Sequence, residues 1–201
     1  MRSHPSSFRG FTLVETLIVL AVVIAVVSVV AALAVSARSQ TDTNALLQMI
    51  TTVQTNIRGH YSNRQDYTGL NTHEAVSLGV LPRGLASLSG ATYIARHPLG
   101  GAFGVGPSAY VNSVTSSPSS GFYMKAVGLS REACILVLVA TGPNFQGIVV
   151  DTSAVDVATD NNQSAAFTPR YVTARGTQVS ATQAQTWCSS PTSNSVRWET
   201  S

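Results

Sequence analysis

Residues 16–37 carry no charged side chain, and 22 of the 27 positions from 11 to 37 are apolar. A helix through this stretch is about 40 Å long at 1.5 Å per residue. It exceeds the roughly 20 residues that cross the hydrocarbon core of a bilayer. The run accounts for a mean hydropathy of +0.19 and a hydrophobic content of 44%. The remainder is polar enough to be a water-soluble domain. The chain therefore reads as one N-terminal span followed by one soluble domain. Arg2 and Arg9 precede the span, with no acid among the first ten residues. The positive-inside rule then translocates the C-terminal domain. A cleavable secretory signal is the competing reading. Its apolar region is usually shorter, although small-residue sites such as Ala32-Leu33-Ala34 exist inside this one.

The net charge of +3 does not indicate a nucleic-acid partner. Of 12 Lys and Arg residues eleven are Arg, scattered singly, and no basic stripe could track phosphates.

Glu15 stands at the head of the apolar run. A carboxylate in a membrane helix is costly unless paired, which marks it for function. The plain alternative is an acid at headgroup level that favours the helix dipole. The surrounding string is Arg9-Gly10-Phe11-Thr12-Leu13-Val14-Glu15-Thr16-Leu17-Ile18-Val19-Leu20. It closely resembles the N-terminal signature of type IV prepilins: a short basic leader ending in Gly, then Phe, a Thr-Leu pair, an apolar residue and Glu. The resemblance implies that an inner-membrane prepilin peptidase cuts between Gly10 and Phe11 and methylates the new N-terminus. It further implies a homopolymer of pilin subunits, built by inner-membrane assembly machinery into an extracellular pilus. Glu15 of one subunit would face the Phe11 amine of a neighbour and set axial register. A buried ion pair acts in this way when neither charge is tolerated alone.

Past Arg38 the sequence turns polar, yet Leu46, Leu47, Ile50, Val53 and Ile57 keep helical spacing. No Gly or Pro lies between residues 11 and 58, so nothing demands a break. One helix from Phe11 to Arg58 is expected, with Gly59 as its stop. Many pilins carry a Pro in the apolar half, where this chain has Ala32. The expected organisation is a leader at 1–10, an apolar helix at 11–37, its amphipathic continuation at 38–58 and a globular head at 59–201. The expected fold is α+β, the long helix packed on an antiparallel β-sheet.

Ser and Thr make up 46 of 201 residues, but short apolar segments recur through the head. Strands are expected at 92–95, 109–114, 122–127, 147–151, 171–174 and 194–199. Capping boxes at Asn71-Thr72-His73-Glu74 and Ser180-Ala181-Thr182-Gln183 open short helices, the first ending before Gly79 and the second reaching Cys188. The apolar run 134–140 is either a buried strand or a helix capped by Ser130, and periodicity cannot choose.

The two cysteines, Cys134 and Cys188, lie in the translocated domain, where a disulfide is permitted. Two separate buried thiols are the alternative. Closing the loop contributes about 4 kcal/mol in the chain-entropy model. Pilins carry a C-terminal disulfide around a variable surface segment, and this spacing is similar. The long loop and the run His97-Pro98-Leu99-Gly100-Gly101 resemble type IVb pilins, including those of thin conjugative pili, whereas the ten-residue leader and Phe11 resemble type IVa.

No metal site, cofactor site or catalytic constellation is expected. His4, His60, His73 and His97 lack ligand spacing with one another or with Cys, and His60 and His73 read as surface residues. The glycine run 100–106 lacks phosphate-binding spacing and reads as a loop. Asp151, Asp156, Asp160, Asn161 and Asn162 lack the spacing of a calcium loop, and 160–162 read as a turn. The same N-terminus occurs in minor pilins and in pseudopilins of type II secretion. A membrane-anchored periplasmic binding protein, never cut at Gly10, is the alternative from another class.

Overall fold

The computed structural model describes residues 13–64, 66–89, 92–108, 120–151, 171–173 and 178–200. The chain divides into two compact units, residues 1–40 and 41–201. Helix α1 spans Leu13–Tyr61, so the apolar and amphipathic stretches belong to one helical element. In the second unit, α1 is followed by α2 (Thr72–Ser77), β1 (Ala86–Ser89), β2 (Thr92–Arg96), β3 (Ala102–Ser108) and β4 (Gly121–Leu129). Next come α3 (Arg131–Thr141), β5 (Gly147–Asp151), β6 (Tyr171–Thr173), α4 (Ala181–Trp187) and β7 (Asn194–Thr200).

The strands form one antiparallel sheet in the order β1-β2-β3-β4-β7-β5-β6. The C-terminal strand β7 is inserted between β4 and β5. Met124 faces Trp198 on one side, and Ile148 faces Trp198 on the other. One face of the sheet is lined by Phe122, Met124, Ala126, Ile148, Val150, Val196 and Trp198, all in the hydrophobic core. Against it α1 lays Leu46, Met49, Ile50, Val53, Ile57 and Tyr61, all buried at steps of three and four. The Trp198 indole donates to Thr141 Oγ1 at 2.8 Å, and Thr141 Oγ1 donates to the Val137 carbonyl at 2.7 Å. Trp198 thus buries its ring without stranding its N–H.

Helix α1 runs past Gly59, the expected stop, to Tyr61. The Tyr61 ring lies 5.3 Å from Tyr67, which lies 4.9 Å from Phe122. A mid-helix Gly costs about 1 kcal/mol, less than the burial of a large side chain returns. The apolar run 134–140 is a helix. Ser130 caps it, accepting from the Ala133 N–H at 3.2 Å, as expected for the helical alternative. Asn71 accepts from the Glu74 N–H at 2.9 Å, and Gly79 follows α2 at φ +73°. Ser180 and Gln183 form the full reciprocal box on α4.

The glycine run 100–106 is not a loop: residues 102–108 form β3. A Cβ at Gly106 would stand 2.7 Å from the Tyr123 ring. Its glycine serves a close side-chain approach across the sheet, not a turn. Strand β1 alternates over only four residues, Ala86-Ser87-Leu88-Ser89, and was not among the expected strands; its pairing with β2 establishes it. The expected strand at 109–114 lies outside the described residues, as does Ala174, the last residue of the strand expected at 171–174.

His97 is buried, and its Nε2 lies 2.9 Å from the Val127 carbonyl, to which it must donate. Nδ1 has no hydrogen-bond partner. A Cβ on Gly101 would collide with both groups, so glycine is required at this junction. Burial, reinforced by Arg96, lowers the His97 pKa below its usual 6.5, although the bond to Val127 opposes the shift. The unfolded chain therefore takes up a proton first as pH falls. The stability contributed by neutral His97 is complete above pH 6.5 and is lost as pH drops from there toward the lowered folded value. Denaturation midpoints should fall between about pH 7 and pH 5, and His97→Gln should flatten that slope. Ile50→Ala should cost about 2–5 kcal/mol by urea denaturation. Thr51→Ala, on the exposed face, should stay within about 0.5 kcal/mol.

Candidate functional site

Residues Leu13–Ala31 form a helical segment with a mean hydropathy of 2.9, long and apolar enough to cross a membrane. Its large side chains are exposed, with Leu13 at 75% and Val30 at 59%. Leu, Ile and Val line the whole circumference, so this surface needs an apolar environment. Its hydroxyls do not disturb that surface. Thr16 donates to the Leu13 carbonyl at 2.8 Å, and Ser28 donates to the Ile24 carbonyl at 2.8 Å. Glu15 lies in the first turn of α1 and is exposed. Gly10 and Phe11 lie outside the described residues.

The second feature is the disulfide Cys134–Cys188, with Cα atoms 6.0 Å apart. The pairing joins the first turn of α3 to the residue capping α4. Polar bonds close the same region. Arg131 N–H donates to the Pro191 carbonyl at 3.1 Å, and Arg131 Nη2 donates to the Gln185 carbonyl at 3.3 Å. Asn194 Nδ2 donates to the carbonyls of Leu129 and Ser190 at 3.1 and 2.7 Å, while its Oδ1 accepts from the Ser190 N–H at 3.1 Å. A buried amide with its bonding capacity so fully used ties the chain after Cys188 to the end of β4.

On the sheet face opposite the core, Arg197 meets Glu199 at 2.6 Å and lies 4.3 Å above the Tyr123 ring. Burial raises the Glu199 pKa, and Arg197 opposes that shift.

Among the described residues no three His, Cys, Asp or Glu side chains gather as a metal site. Asp151 is buried at the end of β5, while Asp156, Asp160, Asn161 and Asn162 lie outside the described residues. His60 is exposed as expected, but His73 is half-buried. Its Nδ1 accepts from the Tyr93 N–H at 3.3 Å, and its ring stacks on Tyr93 at 5.3 Å. One surface feature lay unread in the sequence. Leu136 and Val139 on α3 are 52% and 42% exposed. The unbroken apolar run was its signal, because a helix covered on one side only must present some of those residues to solvent.

This architecture is the pilin fold, an apolar N-terminal helix leading into a helix-backed antiparallel sheet. The structure is similar to that of a type IVb pilin from Salmonella typhi, at 17% identity and a TM-score of 0.56, covering 77% of this chain and 97% of that one. It is also similar to TcpA, a type IV pilin from Vibrio cholerae El Tor biotype, at 18% identity and a TM-score of 0.51, covering 80% and 99%. No curated protein matches by sequence. The PilS family model, described as PilS N terminal, matches residues 40–201, and the chain belongs to this family of type IVb pilins. It is a structural, non-enzymatic subunit of a pilus, assembling with other pilin subunits.

Replacing both Cys134 and Cys188 by Ser should lower stability by about 2–5 kcal/mol. Urea denaturation of oxidised wild type against the variant measures it.

Proposed function

We propose that the chain is a prepilin held in the inner membrane by residues 11–37, with its head at 59–201 in the periplasm and residues 38–58 joining the two. A prepilin peptidase removes residues 1–10 by cutting after Gly10 and methylates the Phe11 amine. The chain left begins at Phe11, and assembly machinery in the inner membrane moves it into an extracellular filament. One observation carries this reading: Leu13–Ala31 exposes Leu, Ile and Val all round the helix, and its first turn holds Glu15. Such a surface is stable in lipid and equally stable against copies of itself. Transfer from one to the other needs no refolding of the head.

Glu15 supplies the specificity that apolar packing lacks. A smooth apolar helix slides along its neighbour at little cost, whereas a carboxylate in that environment needs a cation. The Phe11 amine of an adjacent subunit supplies it and selects one axial offset. Removal of Arg2 and Arg9 with the leader lowers the side-chain charge from +3 to +1, so the basic pI belongs to the precursor. The filament serves adhesion, aggregation or conjugative mating.

Edman sequencing of sheared filaments should begin at N-methylated Phe11; a chain retaining Met1, or cut near Ala34, would sink the reading. Glu15→Ala should leave prepilin accumulation and cleavage intact. It should remove about 3–5 kcal/mol from each subunit contact and abolish recovered filaments. Normal assembly of that variant would remove the register role.

A further inference from the structure

At one edge of the sheet the backbone ladder stops short. Strands β2 and β3 pair only at Ala95↔Phe103 and Arg96↔Ala102, whereas β3 and β4 pair over six positions. Continuing the β2–β3 register by two residues would make Tyr93 and Val105 partners. They bond elsewhere. The Tyr93 N–H donates to His73 Nδ1 at 3.3 Å, and the Val105 N–H donates to Thr72 Oγ1 at 3.2 Å. Two consecutive side chains at the start of α2 thus stand in for the ladder and hold β2 and β3 apart.

A second histidine holds the other end of β2. His97 Nε2 donates to the Val127 carbonyl at 2.9 Å, and its buried Nδ1 has no hydrogen-bond partner. Both arrangements need a neutral ring. His73 accepts through Nδ1, so a proton there removes the acceptor and sets one N–H against another. A proton on His97 Nδ1 would bury a charge and an unpaired donor. The surroundings do not reverse this. His73 has Glu74 beside it on α2 and the Tyr93 phenol stacked on it from β2, while β3 presents Phe103 and Val105, which do not titrate. From the end of α1, Tyr61, with Arg64 over its ring, acts on Glu74. Glu74 attracts a charged His73 but cannot restore the lost acceptor. The charged group acting on His97 is Arg96, which repels a second positive charge.

Detachment of this edge costs little elsewhere. Strand β1 is terminal in the sheet and pairs with β2. Among the described residues of β1 and β2, Ala95 belongs fully to the core, and Ala86 and Tyr93 are partly packed against it. Elements with few buried apolar contacts open before the whole fold does.

We infer that β1 and β2 form an acid-released edge: neutral His73 and His97 latch β2 to α2 and β4, and proton uptake by the two rings lets both strands detach while β3, β4, β7 and β5 stay folded. The latch belongs to the head and does not rest on the assembly reading above.

Amide hydrogen exchange tests it on the full-length, disulfide-bonded chain in detergent micelles, read by peptide mass and corrected for the pH dependence of intrinsic exchange. Between pH 7.5 and pH 5.5, exchange through residues 86–96 should accelerate about tenfold for each histidine, hence about a hundredfold, with far smaller changes in β4 and β7. His73→Asn places Oδ1 where Nδ1 stands, and His97→Gln keeps an N–H in place of Nε2; neither replacement titrates. Each alone should remove about tenfold of the response, and the two together should abolish it while keeping protection at pH 7.5. His73→Ala, which has no acceptor, should exchange rapidly through 86–96 already at pH 7.5. An acid response that survives in the double variant would overturn the latch, because other groups would then carry it. Protection of 86–96 that ignores pH in the unmodified chain, equal acceleration in β4 and β7, or full protection in His73→Ala would each overturn it as well.

Discussion

Trp198 is fully buried in the core of the head, and the head depends on how it is held. It lies on β7, the last strand in sequence and a central strand in space. Burial of its ring is tolerated only because Thr141, at the end of α3, accepts the indole N–H. That bond fixes α3 over the sheet. The same helix carries Cys134, and Cys134 fixes Cys188 and the end of α4. A strand from the C-terminus, a helix from the middle of the chain and the disulfide region are thus locked by one buried side chain. The lower half of α1 completes the enclosure, with Arg58 Nη2 donating to Thr200 Oγ1 at 2.5 Å.

The two units place opposite demands on one helix. Residues 41–61 need one apolar stripe, because the sheet covers one side and water the other. Residues 13–31 need apolar character all round, because the first unit supplies no cover of its own. The switch occurs near Arg38 without a Gly or Pro, so the change is one of side chains on an unchanged backbone. This separates the work of folding from that of assembly: the head closes its core, while the helix surface remains for lipid or for other subunits.

Much of the fold was legible in the sequence. The caps at Asn71, Ser130 and Ser180 are local devices that act within three residues, and each appears in the structure as a side-chain acceptor on the helix start. The stripe of α1 was legible because a helix repeats its contact with the sheet every turn. Strand β3 was not, because Gly104 and Gly106 have no side chains to show alternation, and their purpose is set by Tyr123 on β4. Nor was β1, whose residues acquire strand geometry only from β2. Helix α1 overran Gly59 because Tyr61 finds the Tyr67 ring, a contact between side chains that the helix pattern does not encode.

What the sequence determined by itself are features fixed within a few residues or one helical period: the apolar segment, the acid at its head, the capped helices and the change of α1 near Arg38 from apolar all round to one apolar stripe. The tertiary structure alone decided that β7 lies between β4 and β5, that Cys134 and Cys188 meet and that His97 is buried against Val127. Each of these joins segments 30 or more residues apart. Their free energy comes from burial and hydrogen bonding between partners that are absent from any local window, so only the folded chain selects them.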